Sequence, residues 1–241
     1  MEKDQYIQQL HEAFRANKLE HLLTSDTCEK LFAFSNDLVE CNKQFNLTAI
    51  TDEREIIIKH FIDCASISPL IASNSTVIDV GCGAGFPSIP LAIFRSDIAI
   101  IALDSTQKRI NFVNEQAARL GLCNLNGVCA RAEEYCTRNR ESFDCCVSRA
   151  VARLNVLSEL CIPLIKIDGQ FIAMKSIKGD EEHAEAKNAI SKLGCTLDSK
   201  QTDAFEYSGI STQRTLLTFK KIRKTPSEFP RKYSQILKKP L

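Results

Sequence analysis

From about residue 75 the chain switches repeatedly between two hydrophobic periods, and this alternation limits its fold more than any other feature. Short β-branched or apolar runs lie at 76–80, 98–103, 125–128, 143–148 and 170–175. Between them, helical spacing recurs at 87–94, 106–120, 132–138, 153–165 and 180–193. Parallel strands need a crossover of helix length, so this order predicts a parallel sheet with helices on its faces. Two further strands, about 195–206 and 213–221, have no helix between them. Joined only by the loop Tyr207–Thr212, they should run antiparallel. The expected fold is α/β: a doubly wound, mostly parallel, seven-stranded Rossmann-like sheet with an antiparallel pair at its C-terminal end.

The chain before residue 75 reads differently. Residues 2–43 are helical, with Leu31, Phe34, Leu38 and Cys41 at helical spacing and Asp26 or Thr27 as N-cap. A further helix is expected over 52–68, capped by Asp52, with Ile56, Ile57, His60, Phe61 and Cys64 on one stripe. At 241 residues the chain has room for one large domain and a small appendage. We divide it into a helical extension (1–70), a core domain (71–222) and a tail (223–241).

Charge sets the tail apart. Residues 220–241 hold eight basic residues and one acidic, a net +7, whereas the other 219 carry −6. A basic tail on an acidic body fits a nucleic-acid contact or a solvated, solubilising end. The longest aliphatic run, Ile98–Leu103, has six residues against the ~20 that a membrane span needs. The N-terminus lacks the apolar core of a secretory signal. No two of the eleven cysteines stand in a C-x-x-C, and the four histidines do not pair at helical ligand spacing, so no structural metal is expected. The odd cysteine count, and Cys145-Cys146 inside an apolar run, fit reduced thiols in a cytoplasmic protein.

Three of the nine glycines lie within five residues, in Val77-Ile-Asp-Val-Gly-Cys-Gly-Ala-Gly-Phe-Pro87. A buried strand enters this turn and a helix leaves it, so backbone can approach a ligand there without a Cβ clash. A dinucleotide fingerprint would need a third glycine where Phe86 stands. The spacing of Asp79, Gly81, Gly83 and Gly85 instead resembles motif I of the class I S-adenosylmethionine-dependent methyltransferases. Asp104, at the tip of the second strand, can accept from both ribose hydroxyls or cap the helix that follows. After the third strand, Ala132 can offer its N–H to an adenine and Glu133 can accept from a ligand amine; capping and surface charge serve equally well. Arg149, at the fourth strand tip, can hold a methionine carboxylate or an RNA phosphate, or form a plain salt bridge.

Taken in order, Asn46-Leu-Thr-Ala-Ile50, Lys59-His-Phe-Ile-Asp63, the glycine turn, Leu103-Asp-Ser-Thr-Gln-Lys-Arg109, Arg131-Ala-Glu-Glu134, Ser148-Arg-Ala150 and Met174-Lys175 resemble the bacterial 16S ribosomal RNA guanine-N7 methyltransferase family, also called glucose-inhibited division protein B. The tail segment Lys224–Lys232 is similar to the basic ending of many members. Cys41, Cys64, Ser88, Ser176 and the stretch Ser234–Leu237 depart from the family pattern. The resemblance implies a class I fold, S-adenosyl-L-methionine as cofactor, and 16S ribosomal RNA or the small subunit as partner. Carried over by motif, the cofactor positions are Asp79, Gly81, Gly83, Gly85, Phe86, Asp104, Ala132, Glu133 and Arg149. Candidates for RNA contact are Asn46, His60, Lys175, Arg231 and Lys232, although His60 sits on an apolar stripe, where a histidine is more often a satisfied core residue. Guanine N7 carries a lone pair and no proton, so no catalytic base is expected. A small-molecule methyltransferase and a non-catalytic ribosome-assembly protein are the alternatives. A cytoplasmic monomer without metal or membrane is expected.

Overall fold

The computed structural model describes residues 2–44, 46–149 and 151–241. Ala150, quoted above with Ser148 and Arg149, lies outside them. Two helices lead the chain in, α1 (Lys3–Ala16) and α2 (Ser25–Asn42). Their apolar stripes bury Tyr6, Leu10 and Phe14 from α1 and Leu31, Phe34 and Leu38 from α2. The cap of α2 is neither Asp26 nor Thr27 but Thr24, whose backbone is extended. Thr24 and Thr27 satisfy each other's main-chain N–H groups at 3.2 and 2.7 Å, which places Asp26 and Thr27 inside the first turn.

The next helical stretch is α3 (Glu53–Ile56), a π-helical segment (Ile57–Ile62) and α4 (Asp63–Ala65). Asp52 caps it by accepting from Arg54 N and Glu55 N, both at 3.0 Å. The π segment is wider than an α-helix, a feature that often accompanies functional sites. Its Lys59 carbonyl accepts from a side chain across the fold, described below.

Seven strands follow: β1 (Thr76–Val80), β2 (Ala99–Asp104), β3 (Leu125–Cys129), β4 (Phe143–Arg149), β5 (Ile165–Lys175), β6 (Cys195–Tyr207) and β7 (Ile210–Lys221). Their spatial order is β3-β2-β1-β4-β5-β7-β6. The first five are parallel, and β7 runs antiparallel to both neighbours. The connection between β6 and β7 is tighter than the expected loop, because Ser208 (φ 53°) and Gly209 (φ 78°) turn the chain in two residues. β5 starts five residues earlier than expected, at Ile165, which still pairs with Phe143 across a register shift.

The crossover helices are α5 (Ser88–Phe94), α6 (Gln107–Arg119), α7 (Ala132–Asn139), α8 (Leu154–Cys161) and α9 (Gly179–Leu193). The helix expected over 153–165 ends early: Pro163 lacks an N–H, and Ile162–Leu164 turn the chain into β5. One face of the sheet shares a core with α1, α2, the π segment, α5 and α6. The other face packs against α8, α9 and the tail helix α10 (Tyr233–Lys238). Strand order reverses between β1 and β4, so a crevice opens beyond their C-terminal ends. No helix among the described residues is long and apolar enough to cross a membrane.

The tail is not a loose basic arm. Glu159 on α8 is fully buried and needs a counter-charge. Arg231 supplies it, donating to Glu159 Oε1 from its main-chain N and its Nε at 2.8 Å and to Oε2 from Nη2 at 2.6 Å. Arg231 is therefore held in the fold by this pair, with 22 % of its side chain still exposed. Lys232, by contrast, is exposed.

Candidate active site

A cleft of about 460 Å³ lies at the C-terminal ends of β1 to β4. This is within the ~300–1,000 Å³ usual for cofactor sites. The turn after β1 forms its floor. Main-chain N–H groups of Gly81 and Cys82 donate to Leu103 O at 2.7 and 3.0 Å, which ties the turn to β2. Gly81 has φ +78°, and a Cβ there would lie 2.4 Å from Val151 Cγ2, so the next loop can close against bare backbone. At Gly83 (φ +56°) a Cβ would meet nothing within 4 Å, because that backbone faces the open cleft. Gly85 packs against Ile89 and does not line the cleft.

Asp79 also stands behind the turn rather than in the cleft wall. Its Oδ2 accepts from Ser88 N at 3.2 Å and from the Ser88 hydroxyl, so it anchors the start of α5. Its Oδ1 is buried without a partner. Burial pushes the carboxyl up to about 7, against the pull of the two Ser88 hydrogen bonds. A raised acid is penalised when ionised, so its cost to the fold is absent below pH 3.8 and complete above pH 7. Asp79→Asn should therefore gain stability over the parent protein as pH rises from 5 to 8, by up to roughly 2–4 kcal/mol. Urea denaturation at both pH values measures this; an equal difference at the two would show that Asp79 is not the titrating group.

Asp104 ends β2 and is 6 % exposed. Its Oδ1 accepts from Thr106 N at 2.9 Å and its Oδ2 from Gly83 N at 3.1 Å, with Arg109 Nη1 at 3.4 Å. The N-cap of α6 is Thr106, without a side-chain cap bond, so Asp104 lines the cleft and braces the loop before the helix instead of capping it. Ala132 and Glu133 line the cleft at the start of α7. Around them stand Ser105, Ala130, Arg131 and, from α8, Leu160.

On the β1–β4 side the rings of Phe86 and His60 stack at 4.2 Å between centroids, and the Arg149 guanidinium lies 5.0 Å over Phe86. Arg149 Nη1 donates to Lys59 O at 3.1 Å and to Asp63 Oδ2 at 2.9 Å. Its Nη2 lies 3.1 Å from His60 Nδ1. His60 Nδ1 also lies 3.1 Å from Lys59 O, and Nε2 lies 3.2 Å from Thr48 Oγ1, so both ring nitrogens have polar neighbours. Burial, and then the charge of Arg149, pulls His60 down to about 3. The ring is neutral near pH 7 and a very weak base. Both N–H groups of Arg149 Nη1 are thus committed, which leaves the Nε and Nη2 edge for a ligand.

A second RNA candidate is held inside the fold. Lys175 is 4 % exposed, and its ammonium donates to Ala152 O at 2.5 Å and pairs with Glu182 at 2.8 Å. Asn46 is exposed beside the cleft-lining Leu47 and Thr48. Sequence reasoning missed Val151, Leu160 and Tyr233 in the cleft wall, and the partners of Asp63. Leu47, Thr48 and Asp63 sat in motifs that carried no individual role; nothing in the charge pattern of the tail marked Tyr233.

A family model described as rRNA small subunit methyltransferase G matches residues 27–207. A relative from Clostridium perfringens (strain 13 / Type A), named ribosomal RNA small subunit methyltransferase G, is 46 % identical over 220 residues, covering 90 % of this chain and 91 % of its own. One of the same name from Exiguobacterium sp. is 41 % identical over 245 residues and covers both chains fully. Among solved structures, M. jannaschii TYW2 in complex with AdoMet is similar with TM-score 0.54 and 16 % identity, over 66 % of this chain and 75 % of that one. The ribosomal protein L11 methylase of Lactobacillus delbrueckii gives TM-score 0.52 and 18 % identity, over 68 % and 80 %. At that identity the structural likeness speaks for the fold alone.

Proposed function

The chain belongs to the rRNA small subunit methyltransferase G family, and from that premise we propose that it transfers a methyl group from S-adenosylmethionine to N7 of a guanine in 16S ribosomal RNA. The observation that carries this reading is the cleft between the glycine turn and Asp104. It offers open backbone at Gly83 and a carboxylate at Asp104. This donor set fits a cationic nucleoside. Bound there, S-adenosylmethionine supplies an electrophilic methyl carbon on a sulfonium.

The chain's own residues then have separable tasks. Asp104 accepts from the ribose hydroxyls, Ala132 and Glu133 read the adenine side, and the free edge of Arg149 takes the methionine carboxylate. Leu47, Thr48, Phe86 and Val151 line the remaining wall and exclude water beside the reacting atoms. Guanine N7 has no proton to lose, so the reaction needs no base, and burial holds the His60 ring near 3. Rate enhancement therefore comes from holding nucleophile and methyl within ~3–3.5 Å and in line. N7 lies on the major-groove edge, which A-form RNA hides from side chains, so the target base must be unstacked or extruded.

The test is methyl transfer to 16S RNA in vitro, with mass mapping of that RNA from cells with and without the gene. We expect one 7-methylguanine that disappears with the gene. A methylated small molecule with unchanged RNA would point to a small-molecule enzyme. Cofactor binding without any transfer, to free RNA or to small subunits, would point to an assembly protein.

A further inference from the structure

The tail carries the charge of an RNA arm, yet its packing places it beside the cofactor cleft. The Arg140 guanidinium donates to the carbonyls of Thr225, Pro226 and Phe229. Arg231 is fixed on buried Glu159, and Ile236 of α10 has no exposure. A segment anchored at both ends in this way keeps one position. Between Arg231 and Ile236 stands Tyr233, which lines the cleft with Ala130, Arg131, Ala132 and Leu160. The Arg131 guanidinium carbon lies 5.9 Å from the centre of the Tyr233 ring.

We propose that the C-terminal strap is a wall of the cofactor cleft, and that the Tyr233 ring, held by Arg131, covers the adenine of S-adenosylmethionine. The inference rests on the methyltransferase reading above. Asp104 fixes the ribose at the tip of β2, and the base then reaches toward the end of β3, where these residues gather. That part of the wall is aromatic and aliphatic (Tyr233, Leu160, Ala130), as a flat purine face requires. The methionine end needs polar partners instead, and they stand on the β1–β4 side at Arg149. The tail charges left outside, Lys232, Lys238 and Lys239, are exposed and take no part.

Calorimetry on the full chain tests this with two probes that share the adenine, S-adenosylmethionine and S-adenosylhomocysteine. Aromatic stacking on a base is worth enough that Tyr233→Ala should weaken both by roughly tenfold. Tyr233→Phe keeps the ring and should stay within about twofold by the same reasoning. The melting temperature without ligand should move by no more than about 2 °C, because Arg231 and Ile236 hold the strap. If Tyr233→Ala does loosen the strap, Tyr233→Leu keeps apolar packing without a ring and should show the same loss. Parental affinity for both ligands in the Ala and Leu variants overturns the proposal. So does a loss confined to binding of an rRNA fragment. Failure of the parent protein to bind either ligand would instead overturn the methyltransferase reading itself.

Discussion

Asp63→Ala should destabilise the fold by roughly 3–5 kcal/mol, the cost of leaving buried charge without its partner. Asp63 is fully buried and joins two guanidinium groups: Arg149 Nη1 at 2.9 Å on Oδ2 and Arg214 Nε at 2.9 Å on Oδ1. Removing the carboxylate leaves two like charges, 12 % and 22 % exposed, facing the same hole. Asp63→Asn keeps the shape but not the charge and should cost nearly as much. Arg153→Ala is the contrast. It breaks an ion pair with Glu185 whose partners are 63 % and 48 % exposed, and it should cost no more than ~1 kcal/mol. Urea denaturation at pH 7 reads all three. An Asp63→Ala protein within 1 kcal/mol of its parent, by the measure of an exposed pair, would show that water already screens the cluster.

The same cluster explains why the extension is part of the site. Asp63 belongs to α4, Arg149 to the tip of β4 and Arg214 to β7. The π segment adds Lys59 O and His60 Nδ1 to the grip on Arg149. Leu47 and Thr48, also from the N-terminal 70 residues, line the cleft directly. A chain cut at the boundary read from the change in hydrophobic period would lose one side of the cleft and the anion that orients Arg149. The extension therefore works as a structural complement to the Rossmann-like core rather than as an attachment to it.

Local signals carried the sheet. β1, β2 and β4 have bounds within one residue of the apolar runs, because a buried parallel strand must be apolar throughout and its crossover must be helical. The glycine turn and Asp104 were legible for the same reason: each chemistry needs its residue type at a fixed offset along one strand–turn–helix unit. Contacts between distant segments left no such trace. Lys175 and Arg231 look alike in sequence to Lys232, and only their acid partners, Glu182 and the buried Glu159, set them apart. Tyr233 belongs to a segment whose dominant local feature is charge, and its ring reaches the cleft through anchors contributed by Glu159 and Arg140. Composition counts charges; it does not say which of them a fold consumes.

Asp104→Ala should lower affinity for S-adenosylmethionine at least tenfold. Each charge-assisted hydrogen bond to a ribose hydroxyl is worth ~1.5–3 kcal/mol, and two are lost. The oxygens of Asp104 also receive Thr106 N and Gly83 N, so the variant frees the glycine turn as well as the ribose anchor. Affinity alone therefore confounds the two effects, and a thermodynamic cycle separates them. S-adenosylhomocysteine and its 2′,3′-dideoxy analogue are each titrated into the parent and into Asp104→Ala. If the carboxylate holds the ribose, the analogue binds both proteins with similar weakness, and the coupling between ligand and side chain reaches ~1.5 kcal/mol or more. If Asp104 serves only to order the turn, the mutation weakens both ligands by the same factor and the coupling vanishes. Loss of the bond from Thr106 N should cost the unliganded fold ~1.5–3 kcal/mol, so the variant stays folded and the cycle can be completed.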